Sequence, residues 1–365
     1  MQPPVRLALP RPTGPHALGT VALHLRDRSR RDPWVAARPV RELMVQLWYP
    51  ARPVAGLPRA PWMSANAARV FQQTGYLPSP YATLPNTHAC LGAPPDPLGG
   101  RRPVILYSHG HGQHRGSSTA LIEDLGSHGY IVAAIDHTYD AGQVEFPDGR
   151  VEKYAMPPLT GDDDATILKA VDVRVADTHF VLEELARCAH GHHHPLPHAL
   201  AALLDLSRTA MFGHSLGGAT AASAMAAGAP IAAGANLDGS LFGPVVTGGL
   251  RKPFLLMSED ADNKPSWPEI WPRLRGWRRW LRLTGTRHFS YTDYESFMPQ
   301  VAARLGATDE QLVEFTGPLD ATRALAIQRR FLLAYFDLHL HNRRTRILDG
   351  PSPRYPEVRF IDGTA

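Results

Sequence analysis

Five residues in the middle of the chain, Gly213-His214-Ser215-Leu216-Gly217, match G-x-S-x-G, the pattern of a nucleophile elbow. A serine hydroxyl keeps its proton at neutral pH and attacks poorly. It needs a base to take that proton and an acid to orient the base. With both, it can attack an ester carbonyl and carry the acyl group covalently until water removes it. The two glycines allow the sharp turn that lifts the hydroxyl clear of a sheet. A pattern with three fixed positions also arises by chance, as a tight turn without chemistry. The flanks favour the chemical reading: a strand candidate, Thr209 to Phe212, precedes the motif, and a small-residue helix candidate, Leu216 to Ala227, follows it.

The base is expected after the last strand of such a sheet. His288 stands there, in Leu283-Thr-Gly-Thr-Arg-His288-Phe-Ser. Of the 18 histidines, His190, His192, His193 and His194 fall in a Gly/Pro-bounded linker and read as a solvated loop. The acid has alternatives. Asp238 follows the strand after the nucleophile helix, and Asp260 and Asp262 follow the next one. All sit at strand C-terminal ends, where this architecture puts its chemistry. Two backbone N–H groups must stabilise the oxyanion. Leu216 supplies one, and His111, in His109-Gly110-His111-Gly112 after the strand ending at Tyr107, is expected to supply the other.

The elements that must hold these residues alternate. Pro103 to Tyr107, Tyr130 to Ile135, Thr209 to Phe212, Ile231 to Leu237, Phe254 to Met257 and Trp280 to Leu283 are strand candidates, the last taken as the final strand. Between and after them, Ser118 to Gly126, Asp163 to Leu185, Leu216 to Ala227 and Ala321 to Leu340 read as helices. This order predicts an α/β fold with a mainly parallel central sheet covered on both faces by helices. Gly19 to Leu25 and Arg41 to Tyr49 alternate in polarity and read as antiparallel edge strands. Residues 51–100, rich in Pro, Gly and Asn, read as an excursion over the surface. Residues 137–165, with Pro147-Asp148-Gly149, read as a loop or small hairpin. Residues 1–365 are expected to form a single domain, with the N-terminal strands and excursion in 1–100 and a catalytic core in 101–345.

A chain of 365 residues, 44% of them hydrophobic, can bury a large core. The formal net charge of +4 is mild. No basic block with interleaved aromatics points to nucleic acid, although an anionic surface such as phospholipid headgroups would be favoured. Cys90 and Cys188 make one bridge or none. No run approaches the roughly 20 apolar residues of a membrane span. The N-terminus has no charged start followed by an apolar run. The expectation is a soluble protein, cytoplasmic if the chain is complete and secreted if a signal was removed. No metal-ligand spacing is present, and no metal or other cofactor is expected.

Further motifs carry a resemblance. Leu47-Trp48-Tyr49-Pro50, Ser108-His109-Gly110, Leu125-Gly-Ser-His-Gly-Tyr-Ile-Val-Ala-Ala134, Arg174-Val-Ala-Asp177, Gly213 to Thr220, Asn236-Leu-Asp238 and Arg287-His288-Phe-Ser-Tyr-Thr-Asp293 come in an order and spacing similar to the platelet-activating-factor acetylhydrolases of the plasma/intracellular lipase-like type and their bacterial relatives. The likeness spans most of residues 17–340. It implies an α/β-hydrolase fold and a catalytic triad of Ser215, Asp238 and His288, selecting Asp238 among the acids. It also implies a calcium-independent ester hydrolase for short or oxidised acyl groups of phospholipids. Relatives that are general carboxylesterases or polyester hydrolases make the substrate a separate question. An acyltransferase or cyclase using the same triad, and a non-enzymatic binding module, are the rivals. Trp267, Trp271, Trp277 and Trp280 are dense and read first as core. Phe242, Trp267 and Trp271 are the alternative acyl-pocket wall or lipid-facing surface.

Overall fold

Apolar runs too short for helices become the strands of one sheet, and the segments between them become its helices. In the computed structural model, residues 3–158, 164–191, 195–261, 264 and 266–361 are described. Asp262, His192 to His194 and the expected helix start at Asp163 lie outside the described residues. The strands of the main sheet are β1 (Leu18–Asp27), β2 (Arg41–Pro50), β3 (Arg59–Pro61), β4 (Asn86–Leu91), β5 (Arg102–Ser108), β6 (Ile131–Asp136), β7 (Leu204–His214), β8 (Ala233–Leu237), β9 (Phe254–Ser258), β10 (Arg278–Leu283) and β11 (Val358–Ile361). Their order across the sheet is β11-β10-β9-β8-β7-β5-β6-β2-β1-β4-β3. The six strands from β10 to β6 are mutually parallel. The principal helices are α1 (Ala65–Thr74), α2 (Thr119–Ser127), α3 (Asp164–Ala189), α4 (Leu216–Ala226), α5 (Tyr294–Leu305), α6 (Asp309–Thr316) and α7 (Ala321–His341).

Strand alternation splits the interior into two cores. Ile105 and Tyr107 of β5 and Phe212 of β7 point to one face, where they meet Leu121 and Leu125 of α2 and Phe331 and Tyr335 of α7. Val104, Leu106 and Met211 point to the other, against Val181 and Leu185 of α3 and Ala221 and Met225 of α4. Helices therefore cover both faces, and the C-terminal ends of the parallel strands open together at one rim. Loops after β5, β7, β8 and β10 meet there. The hairpin expected within 137–165 pairs Gln143–Glu145 with Val151–Lys153.

Several expectations need correction. β1 and β2 are antiparallel but are not an edge: β2 pairs with β6 and β1 with β4. Residues 51–100 are not a surface excursion. They add β3 and β4 to the sheet and bury Trp62, Phe71 and Leu77 in the core. The indole of Trp62 packs edge-on against Phe71, His114 and Phe297. Its Nε1–H donates to Asp293 Oδ2 at 2.7 Å. β10 is not the last strand, because β11 returns antiparallel beside it. Cys90 and Cys188 are free thiols. Among the described residues, no helix is long and apolar enough to cross a membrane.

If Trp62 anchors the 51–100 segment, Trp62→Ala should destabilise the protein by about 3–5 kcal/mol, the range for deleting a buried large aromatic. Urea unfolding measures this. A loss below about 1 kcal/mol would make the segment peripheral to stability.

Candidate active site

Ser215 joins the end of β7 to the start of α4 with φ 54° and ψ −124°, a conformation that side-chain-bearing residues rarely adopt. Such strain costs about 1–3 kcal/mol and persists only where the surroundings impose it. Here the Ser215 N–H donates to Leu237 O at 2.8 Å, and the Ser215 carbonyl accepts from Gly218 N at 2.9 Å. The flanking glycines are needed for space. A Cβ on Gly213 would lie 2.2 Å from the Gly217 carbonyl carbon, and one on Gly217 would lie 1.9 Å from Ser108 O. Leu216 opens α4, so its N–H has no intrahelical acceptor.

His288 starts a 3₁₀ turn, His288–Tyr291, beyond β10. Its Nδ1 lies 2.5 Å from Asp238 Oδ2. That contact commits Nδ1 to the carboxylate and leaves Nε2 for a proton transfer. The His288 side chain is 37% exposed and that of Asp238 is fully buried, so the imidazole is reachable and its partner is not. Asp238 directly follows β8. Its N–H donates to Met257 O, and its Oδ1 accepts from Glu259 N at 2.9 Å. The ring of His214, beside Ser215, lies 4.5 Å from that of His288. Burial, and then the nearby His288, hold the His214 imidazole well below its usual pKa.

Asp260 has a different place. Its Oδ2 accepts from Gly285 N at 3.1 Å and closes the loop leading to His288. Asp238, Glu259 and His288 each bring a potential ligand atom within 4.8 Å of the others. The Lys264 ammonium already lies 3.2 Å from Asp238 Oδ2 and 3.4 Å from Glu259 Oε1. A lysine thus supplies the cation beside these two acids.

The loop after β5 packs directly on the elbow, since Ser108 O and His109 O both border the Cα of Gly217. Gly110 N donates to Gln113 Oε1 at 3.1 Å and Gly112 N to Asp140 O at 3.2 Å. The His111 N–H between them donates to no acceptor among the described residues. The His111 ring makes a 2.8 Å contact with Tyr154 Oη, and burial lowers its pKa.

Behind this loop lies a buried polar network that the sequence reading did not assign. Arg174 of α3 pairs with Asp140 through two bonds of 2.6 Å and donates to His109 O. Ser108 Oγ is 2.9 Å from His137 Nε2, and His137 Nδ1 is 3.0 Å from Asp177 Oδ2. Serine, histidine and aspartate here mimic a triad. All three are fully buried, however, and Asp177 also accepts from Arg41 at 2.7 Å, so the set has no access to a substrate. A signal was present: Arg174 stands three residues after Val171 and four before Thr178, on the stripe of α3 that packs inward.

The three pocket-wall residues separate. Phe242 is partly buried and packs on the cluster containing Leu216 and Met156, next to the elbow. Trp267 and Trp271 do not fit a pocket wall. Trp267 is fully buried with its Nε1–H on Gly239 O at 2.8 Å, and Trp271 is 8% exposed in the core beside Trp280. Broad apolar rings gain most from full burial, which is why they pack inward. A different aromatic group borders His288. Phe289 stacks on Phe315 at 4.5 Å, and both meet Tyr76 and Tyr294. Tyr76 is 53% exposed, so the cluster has an open edge. Only the position of Phe289 beside His288 pointed to it in the sequence.

Comparison with known proteins places this architecture. Residues 7–146 match the family described as platelet-activating factor acetylhydrolase, isoform II. A probable 1-alkyl-2-acetylglycerophosphocholine esterase of Arthroderma benhamiae is 27% identical over 98% of this chain and 95% of its own length. The platelet-activating factor acetylhydrolase of Bos taurus is 23% identical over 66% of this chain, a match spanning 58% of the bovine protein. The solved structure of a ferulic acid esterase from Streptomyces cinnamoneus is 37% identical and superposes with a TM-score of 0.82, covering 98% of this chain and 99% of that one. With this likeness added to the fold, the chain belongs to the ester hydrolases with the α/β-hydrolase fold, and its sequence is similar to the platelet-activating-factor acetylhydrolases.

Proposed function

We propose that the protein hydrolyses carboxylic esters through Ser215, His288 and Asp238, with short acyl groups, including the sn-2 acetyl group of phospholipids, as its preferred acyl part. The observation that carries this reading is the buried Asp238 carboxylate hydrogen-bonded to the half-exposed His288, beside a serine held in an elbow conformation. Ser215 Oγ attacks the ester carbonyl carbon as His288 Nε2 takes its proton. The carbonyl oxygen becomes an oxyanion, stabilised by the N–H groups of His111 and Leu216. When the tetrahedral intermediate collapses, His288 returns the proton to the leaving alcohol, and the acyl group stays on Ser215. Water, deprotonated by His288, then attacks the acyl carbon; the bond to Ser215 Oγ breaks, His288 returns the proton to that oxygen, and the carboxylic acid leaves. Asp238 keeps the imidazole in the productive tautomer and stabilises its protonated form.

The acyl preference is supported by the names of the fungal and bovine relatives, both of which specify an acetyl ester. Phe242, packed beside Leu216, supports a bounded acyl side. The aromatic cluster at His288 and the Streptomyces ferulic acid esterase favour a second reading, an ester carrying an aromatic group. A lipid surface is the proposed setting for a phospholipid substrate.

Two experiments test the proposal. Asp238→Asn should lower kcat by on the order of 10⁴, because the amide favours the wrong tautomer, while Asp260→Asn should cost far less. If Asp260→Asn is the crippled variant, the acid is misassigned. The second is an ester panel: p-nitrophenyl acetate to palmitate, an sn-2 acetyl phospholipid and methyl ferulate, with Ser215→Ala as control. Short acyl esters and the acetyl phospholipid should show the highest kcat/KM, and Ser215→Ala should abolish turnover. An open acyl tunnel would instead gain roughly 0.8 kcal/mol per methylene. Rates rising with chain length and no acetyl-phospholipid turnover would reject the short-acyl reading, and a maximum at methyl ferulate would favour the aromatic one.

A further inference from the structure

The orientation of a single peptide bond decides whether His111 can donate to an oxyanion. The Gly110 carbonyl and the His111 N–H belong to one planar trans unit and point in opposite directions. Whatever holds Gly110 O therefore aims His111 N–H. Three donors converge on Gly110 O: His109 Nδ1 at 2.7 Å, Gln113 N at 3.1 Å and Arg174 Nη2 at 3.4 Å. The histidine fits this role as a neutral ring. Burial, and then Arg174, keep it well below its usual pKa, and its Nε2 accepts from His137 N at 3.3 Å, which leaves the proton on Nδ1. Arg174 also donates to the preceding carbonyl, His109 O, so one guanidinium spans two successive carbonyls of the loop.

From this geometry we infer that Arg174 is a positioning residue for the oxyanion hole, holding the Gly110–His111 peptide with its carbonyl toward α3 and its N–H on the opposite side. A flipped peptide would turn the His111 N–H toward a fully buried cation and lose all three donors on Gly110 O. Asp140 holds Arg174 in place through its two-point pairing, which fixes the guanidinium plane as well as its charge. Lysine could replace the charge but not the fork. This inference rests on the proposed roles of Ser215 and the His111 N–H.

The test compares the unaltered chain with Arg174→Lys and, as a milder change, Asp140→Asn. Every rate is expressed per site titrated by a fluorophosphonate, so misfolded molecules lower the site count without entering the result. For Arg174→Lys, kcat/KM toward p-nitrophenyl acetate should fall on the order of 10²-fold, as for loss of one oxyanion donor. The inhibition constant of a trifluoromethyl ketone, whose adduct carries the oxyanion, should rise by the same factor. KM should stay within about threefold. Asp140→Asn should show the same pattern with a smaller factor. Unchanged kcat and unchanged ketone affinity per titrated site in both variants would overturn the inference, whatever happens to thermal stability. Mapping the fluorophosphonate to a serine other than Ser215 in the unaltered chain would instead refute the proposed triad, so the two failures are distinguishable.

Discussion

Buried ion pairs behind the loop at residues 108–112 are the constraint on which the rim depends. Arg174 with Asp140, and Arg41 with Asp177 and Asp32, are all buried, and their side chains come from β2, α3 and the turns before β2 and after β6. A buried charge is tolerated only when paired and hydrogen-bonded, and removing one partner typically costs about 3–5 kcal/mol. Arg41 satisfies this with contacts to Asp177, Asp32 and Thr138 O. The pairs thereby fasten the helix, the strand and the loops to one another at the point where Ser108 O and His109 O press on Gly217. The elbow leaves no room for a side chain there, so the two loops must be placed together.

The rest of the rim is held by similar economy of contacts. Asp238, like Ser215, has a positive φ, 61°, and its backbone N–H and Oδ1 are tied to Met257 and Glu259 at the end of β9. Trp267 grips Gly239 O just beyond it. A Cβ on Gly239 would sit 2.0 Å from Ser215 O, so the loop carrying the acid closes directly on the elbow. Strain at Ser215 and Asp238 and close packing between their loops are thus one arrangement, paid for by the sheet behind them.

Much of this was legible in the sequence. The parallel strands read as apolar runs because both their faces are buried, and G-x-S-x-G announced the elbow because only glycine fits its flanks. The choice between Asp238 and Asp260 was not legible from spacing, since both follow strands at the same rim. It depended on resemblance; in the structure Asp238 Oδ2 lies 2.5 Å from His288 Nδ1, while Asp260 Oδ2 accepts from Gly285 N. The 51–100 segment reads as a surface excursion because β3 and β4 are short and bounded by prolines, while the pairing that makes them strands is distant in sequence. α5 carries Pro299 inside it, which obscured its period. Trp267 and Trp271 look alike on the wall of a pocket or in a core, and only packing separates the two. The polar network was half legible: Arg174 lies on the inward stripe of α3, but its partners Asp140 and His109 come from other elements.

The proposed chemistry requires this scaffold to place an acyl group on Ser215. Rapid mixing of the protein with excess p-nitrophenyl acetate, followed by acid quench and peptide mass spectrometry, tests it directly. Acetyl should appear on the peptide containing Ser215 within the first turnover and disappear as substrate is exhausted. Acetyl on Ser108 or another serine, or steady turnover without acetyl on Ser215 even after Asp238→Asn has slowed deacylation, would contradict it.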